Sequence, residues 1–132
     1  MNIRFLSANE VRTALPMAEA IAGMKAAYAG LSAGQVVMPL RSGVDIAEQA
    51  GKTLVMPAYL KAETPALAVK IVSVFPENTK RGEPVIYALV LALDATTGRP
   101  LCIMEGGALT AVRTGAASGA ATDVLARSDA KT

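Results

Sequence analysis

Arg113 is the only charged residue in the segment 109–119, whose other residues are uncharged and mostly small. Its position calls for a chemical explanation. The run is typical of a helix start, and if Thr110 is the N-cap, Arg113 falls in the first turn. Free backbone N–H groups and the helix dipole already favour anions there, so a cation is unfavourable unless an anion lies between them. The spacing therefore predicts a carboxylate or phosphate site. The alternative is that Arg113 extends to solvent or pairs with Glu105 or Asp123.

Two further cations stand in strand-like segments. Strand alternation over 66–74 puts Lys70 on an otherwise apolar face. Such a lysine either extends to solvent from an edge strand, which the pattern alone favours, or is held with a partner, where desolvation lowers the pKa of its amine. Arg41 follows the apolar run 36–40, and taken alone it is an ordinary surface arginine. If the fold brings Arg41, Lys70 and Arg113 together, they form a carboxylate pocket, which spacing alone does not establish.

Apolar periodicity and turn residues predict the elements that must position these cations. A Ser7-x-x-Glu10 capping box follows a short strand at 3–6 and opens a helical turn. Pro16 suits a second helix start, and apolar residues then recur at helical spacing from Met17 to about Ser32, before a left-handed Gly34, so this helix should cover a sheet with one face. We predict strands at 36–46, 53–60, 66–75, 85–94 and 100–104, and a last helix at about 110–127. The fold class is α+β, a mixed β-sheet covered by helices.

Three segments of this pattern have a more specific interpretation. The segment 85–93 is apolar at every second position on both alternating faces, which predicts a central strand buried on both sides. The segment 94–98 is rich in turn residues and predicts a hairpin connection between two strands. The small residues at 115–121 favour close packing of the last helix against a neighbour.

Composition limits the function classes. The 132 residues are 52% hydrophobic and suffice for one domain, and a net charge of +2 without a basic stripe argues against nucleic-acid binding. The single Cys102 excludes an internal disulfide, and its apolar strand predicts a buried, inert thiol. Since there is no histidine and only one cysteine, carboxylates are the only metal ligands available, which excludes a zinc site, and we expect no metal site. No window is apolar enough for a membrane span, so we expect no membrane partner and a cytoplasmic protein.

Five motifs occur in order along nearly the whole chain, and together they are specific, although each alone is weak. They are Met38-Pro39-Leu40-Arg41, Leu54-Val55-Met56-Pro57-Ala58-Tyr59, Val69-Lys70-Ile71-Val72-Ser73-Val74-Phe75-Pro76-Glu77-Asn78, Asp94-Ala95-Thr96-Thr97-Gly98-Arg99-Pro100 and Leu109-Thr110-Ala111-Val112-Arg113-Thr114-Gly115-Ala116-Ala117. In these motifs the chain resembles the ornithine cyclodeaminase/mu-crystallin family.

The resemblance implies a site and a cofactor. It places Arg41, Lys70 and Arg113 at positions that bind the substrate carboxylate, with Arg113 also near the nicotinamide cofactor and Lys70 in a catalytic role. It implies that residues 1–127 are the substrate-binding and dimerisation domain of a homodimer, and that 128–132 lead into a Rossmann domain for NAD(H) or NADP(H). The complete protein would then act on a small amino acid or imine, as an ornithine cyclodeaminase, which releases ammonia, an alanine dehydrogenase or a ketimine reductase.

Two features depart from the family pattern. No G-x-G-x-x-G is present, so we expect this chain alone to be inactive and not to bind the dinucleotide tightly. Val85 replaces a hydroxyl residue that contacts the cofactor in some members, which puts that contact in doubt. Two other interpretations therefore stay open, a mu-crystallin-like protein that binds a small ligand, and a truncated dimerisation module without catalysis.

Overall fold

The computed structural model describes residues 2–130, so the end of the predicted linker at Lys131 and Thr132 lies outside the described residues. Strands and helices follow one another as β1 (Arg4–Leu6), α1 (Ala8–Ala14), α2 (Met17–Ser32), β2 (Val36–Val37), β3 (Ser42–Ile46), β4 (Gly51–Leu60), β5 (Ala66–Val74), β6 (Ile86–Leu93), β7 (Pro100–Glu105) and α3 (Gly106–Leu125). Short 3-10 helices occupy Ala47–Gln49 and Pro76–Arg81. The α+β class is confirmed.

Within residues 2–130 one mixed sheet runs in the order β1-β7-β6-β5-β4-β2, and β3 also pairs with β4. The pair β1 and β7 is parallel, and the other pairs are antiparallel. The predicted hairpin at 94–98 is confirmed, because it joins the antiparallel β6 and β7. There Asp94 Oδ1 accepts from the backbone N–H of Thr96 and Thr97, and Gly98 has a φ of 72°.

The three helices form a layer in which α3 lies against β5, β6 and β7 while α1 and α2 pack on α3. Contrary to the prediction that α2 covers the sheet directly, its main partner is α3, and it reaches the sheet at β4. Small side chains make this approach possible. Ala116 and Ala120 are buried, and a Cβ at Gly119 would lie 2.8 Å from Cδ1 of Ile21. The packing interpretation of 115–121 is therefore confirmed.

Local signals around the first two helices are borne out. The Ser7 backbone N–H donates to Glu10 Oε2 at 2.9 Å while the Glu10 N–H donates to Ser7 Oγ at 3.4 Å, which is the capping box. The second helix follows Pro16 and ends at Ser32, and Gly34 has a φ of 70°. Capping and left-handed glycine depend on neighbouring residues alone, so the sequence predicts them well.

The predicted strand at 36–46 is wrong, because it is divided into β2 and β3. Both pieces pair with the same edge of β4, β2 at residues 59–60 and β3 at residues 51–55. Between them Pro57 offers no N–H to a neighbouring strand, and the segment 38–41, which contains Pro39, leaves the sheet. This gap in the pairing opens the edge of β4 to a cavity.

The prediction that 85–93 is buried on both sides is also wrong, although β6 is paired on both edges as expected. Val90 faces α3 and is buried, whereas Leu89 points to the opposite face of the sheet and is 44% exposed. That opposite face, here called the open sheet face, bears seven exposed apolar side chains, Phe5, Val44, Val55, Ile71, Tyr87, Leu89 and Leu101. The helices cover one face only, so strand apolarity overstates burial.

Candidate functional site

A cavity of about 480 Å³ lies between the segment 38–41, strands β4 to β6, and the first half of α3. The structure brings the three predicted cations, Arg41, Lys70 and Arg113, to this one cavity from three separate segments. The remaining lining residues are apolar apart from one threonine, and they are Met38, Pro39, Leu40, Met56, Pro57, Ala58, Val90, Leu109 and Thr110. Among these residues there is no carboxylate, so the cavity combines apolar walls with three positive charges.

Lys70 lies on an interior strand, because β5 pairs with β4 on one side and β6 on the other. The interpretation as a lysine extending from an edge strand is therefore wrong. Register places Lys70 beside Val90 and Met56, on the face that α3 covers. Its Nζ donates to Thr110 Oγ1 at 2.9 Å. Burial, followed by the nearby charge of Arg113, lowers the pKa of Lys70 below the ordinary lysine value.

The start of α3 differs from the prediction, since the helix begins at Gly106 and not after Thr110. The N-cap is Glu105, whose carboxylate accepts from the backbone N–H of Gly107 and Ala108, both at 2.7 Å. Arg113 consequently lies two turns inside the helix, beyond the reach of the N-terminal dipole. The conflict between a cation and the helix start, from which the anion site was predicted, is therefore absent.

Arg113 nevertheless lies at the cavity, exposed at its edge. Both acidic partners considered for it have other roles. Glu105 caps its own helix, and Asp123 pairs with Lys25. Within residues 2–130 no ion pair joins Arg113 to a carboxylate, which leaves its guanidinium available to a ligand.

Arg41 is placed by the break in the sheet described above. It is the last residue of the segment 38–41, immediately before β3, and it is exposed. The Ser42-Gly43 pair that follows begins β3. Because the segment leaves the sheet beside Pro57, Arg41 can line the same cavity as Lys70 on the neighbouring strand.

The arrangement suits a small organic anion. Two guanidinium groups and one amine can each donate hydrogen bonds to a carboxylate, and the apolar walls can contact the rest of a small organic molecule. Across residues 2–130 no cluster of three or more metal-ligating side chains occurs. Within the same residues no helix is long and apolar enough to cross a membrane. Cys102, expected to be buried, is half-buried and outside this cavity.

Thr110 is a lining residue of the cavity whose place in the helix differs from the prediction. It does not cap the helix. Its hydroxyl lies in the second turn, donates to the Gly106 carbonyl at 2.6 Å and accepts from Lys70. A threonine inside a helix regularly bonds the carbonyl four residues earlier, so this contact was predictable once the helix start was known. The contact with Lys70 depends on the packing of α3 on β5 and has no local signal.

Comparison with known proteins agrees with these motifs. The model of the ornithine cyclodeaminase/mu-crystallin family matches residues 1–132. A Delta(1)-pyrroline-2-carboxylate reductase of Bacillus cereus is 42% identical over 127 residues, which cover 96% of this chain and 39% of that protein. The chain therefore spans about two fifths of the length of such relatives.

Solved structures show the same fold. The Delta(1)-pyrroline-2-carboxylate reductase of Thermococcus litoralis, in complex with NADH and L-proline, superposes with a TM-score of 0.86 at 44% identity, covering 98% of this chain and 40% of that one. An archaeal alanine dehydrogenase dimer with bound NAD gives 0.84 at 31% identity, covering 96% of this chain and 38% of that one. The chain belongs to the ornithine cyclodeaminase/mu-crystallin family.

Proposed function

We propose that this chain is the substrate-binding part of a nicotinamide-dependent oxidoreductase or cyclodeaminase that acts on a small amino acid or imine. One observation carries the proposal. Arg41, Lys70 and Arg113 converge on a single cavity with apolar walls and no lining carboxylate. A ligand that fits such a cavity has one carboxylate and a small apolar body. L-Proline, which occupies the similar Thermococcus litoralis enzyme, has this chemistry.

Each cation has a separate task in this proposal. Arg41 and Arg113 hold the carboxylate, and this orients the substrate carbon that exchanges hydride, since orientation supplies much of the barrier reduction in such reactions. Lys70 lies deeper, on the floor of the cavity formed by β5. Because its pKa is lowered, its amine exchanges a proton with the substrate nitrogen or with an attacking water more readily than an ordinary lysine does.

The cofactor is a separate question for this chain. A bound nicotinamide supplies or accepts the hydride. The sequence has no G-x-G-x-x-G, and at the start of α3 the Glu105 carboxylate already accepts from the backbone N–H groups of Gly107 and Ala108, two of the groups that a phosphate would use. We therefore expect this chain alone to bind NADH weakly and to be inactive. We propose that Arg113 also lies near the nicotinamide in a full-length protein that binds the cofactor.

Binding of L-proline to this chain tests the proposal. We expect two-dimensional NMR to show shift changes confined to the cavity residues, and L-prolinamide, which lacks the carboxylate, to give none. Arg113→Ala should weaken the response, whereas Lys61→Ala, which removes an exposed charge outside the cavity, should leave it unchanged. Equal responses to L-proline and L-prolinamide would show that no carboxylate site exists.

A dimer is the second part of the proposal. The apolar side chains of the open sheet face are each between 40% and 66% exposed. Soluble monomers rarely leave such a continuous apolar surface uncovered. Two-fold homodimers are the commonest means of covering such a face, and the similar alanine dehydrogenase is a dimer. We propose that two copies pair through this face, with 1–127 as the dimerisation and substrate-binding domain and 128–132 as the start of a linker. A cytoplasmic location also stays a prediction.

A further inference from the structure

A chain of two hydrogen bonds links Lys70 to the backbone of α3. Lys70 Nζ donates to Thr110 Oγ1 at 2.9 Å, and Thr110 Oγ1 lies 2.6 Å from the carbonyl oxygen of Gly106. A hydroxyl has one proton, and the short contact with the Gly106 carbonyl uses it. The oxygen of Thr110 can therefore only accept from Lys70.

This direction fixes what Lys70 presents to the cavity in each protonation state. As an ammonium, Lys70 has three N–H groups, of which one bonds Thr110 and two remain for a ligand. As a neutral amine, it must still donate an N–H to Thr110, because Thr110 offers no proton in return. The amine lone pair then points away from Thr110.

The Gly106 end of this pair of hydrogen bonds is held in place by the sheet. A Cβ placed on Gly106 would lie 2.6 Å from the carbonyl carbon of Ala88, so the helix start is pressed against the backbone of β6. The Gly106 carbonyl that receives the Thr110 proton is thus held by the sheet, and Lys70 projects from the adjacent strand β5. Both ends of the chain are fixed to neighbouring strands, which limits the movement of the Lys70 amine.

We propose that Thr110 is a positioning residue, which sets the direction of the Lys70 amine and keeps its lone pair on the side away from Thr110. The inference deepens the proposed function and rests on the role given there to Lys70. Thr110 itself touches Lys70 and the backbone, and its effect on a reaction passes through the lysine.

Thr114 supplies a matched control. Its hydroxyl donates to the Thr110 carbonyl at 2.6 Å, the same bond to the fourth preceding residue that Thr110 makes. Thr114 is exposed and outside the cavity lining. Thr114→Val therefore reproduces the loss of a helix hydroxyl and the gain of a branched methyl without touching Lys70.

The test measures the pKa of Lys70 by NMR of labelled lysine in wild type, Thr110→Val, Thr110→Ser and Thr114→Val. Loss of the acceptor disfavours the ammonium, so we expect Thr110→Val to lower the Lys70 pKa by about one pH unit. The serine variant should keep the wild-type value, and Thr114→Val should not change it. The charged groups facing Lys70, Arg113 on α3 and Arg41 in segment 38–41, are present in every variant.

An unchanged Lys70 pKa in folded Thr110→Val would overturn the proposal. If the valine variant does not fold, Thr110→Ala removes the hydroxyl with a better helix former and decides the same point. L-Proline titration of each variant separates the two proposals. Failure of wild type to bind L-proline contradicts the proposed function. The pKa comparison still tests whether Thr110 positions Lys70. Normal binding together with an unchanged pKa in Thr110→Val rejects the positioning role alone.

Discussion

Gly106 is the residue whose substitution most directly tests how α3 is placed. It is the first residue of the helix and is buried against β6. An added Cβ would meet the carbonyl carbon, the Cβ and the carbonyl oxygen of Ala88 at 2.6, 2.7 and 2.7 Å. Two of these three atoms belong to the backbone of an interior strand. They cannot rotate away as the end of a flexible side chain can, so the start of α3 must move instead.

The expected magnitude follows from two opposing effects. Overpacking a well-packed site costs about 1–3 kcal/mol, while alanine in place of glycine gains up to about 1 kcal/mol in a helix interior. At the first helical residue that gain is smaller, so we expect Gly106→Ala to lower the free energy of unfolding by about 1–2 kcal/mol. Gly115 offers a control in the same helix, since its added Cβ would meet only Cε of Met17, at 3.5 Å. Gly115→Ala should be neutral or stabilising.

Urea denaturation followed by circular dichroism, at one fixed protein concentration, measures both variants. Gly106→Ala should also weaken L-proline binding, because Thr110 and Lys70 depend on the position of the Gly106 carbonyl. If Gly106→Ala proves as stable as Gly115→Ala, the close approach of α3 to Ala88 does not hold the helix in place.

Three further outcomes are expected. Arg113→Ala should weaken L-proline binding by about tenfold, about 1.4 kcal/mol, and Arg41→Lys by less because the charge is kept; calorimetric titration giving the reverse order would reject these roles. The lowered pKa of Lys70 means that between its folded and unfolded pKa values the unfolded chain binds more protons. Stability of wild type relative to Lys70→Met should therefore rise as pH increases through the range between the folded pKa and 10.5, and parallel profiles in urea denaturation would contradict this. Ile71→Lys, on the open sheet face, should shift the chain from dimer to monomer in sedimentation equilibrium; a wild-type monomer would refute the dimer.

Elements with a local chemical signature were predictable from the sequence. The capping box at Ser7 and Glu10, the helix from Met17 and the hairpin at 94–98 all depend on residues that are neighbours in the chain. The start of α3 was not found in the same way. A glutamate followed by two glycines is typical of a turn, yet the Glu105 carboxylate caps the helix and the small size of Gly106 lets it approach β6.

Features that depend on pairing partners were missed for a different reason. The break in 36–46 contains Pro39 and lies opposite Pro57, a residue on another strand that has no N–H to offer the edge that β2 and β3 share. The open sheet face was missed because apolarity on both sides of β6 does not say what covers each side. In both cases the decisive residue or surface is distant in sequence.

Arg113 lies at the cavity as predicted, although the reason for predicting it there does not hold. Arg113 was singled out by a conflict with a helix start that in fact lies two turns away, while its position at the cavity comes from the packing of α3 on β5. What remains after this correction is a stronger electrostatic observation. Folding brings Arg41, Lys70 and Arg113 to one cavity whose lining has no carboxylate. The pKa of Lys70 is lowered first by burial and then by the nearby charge of Arg113. Packing gives no reason for three like charges to meet, whereas an anionic ligand relieves all three at once.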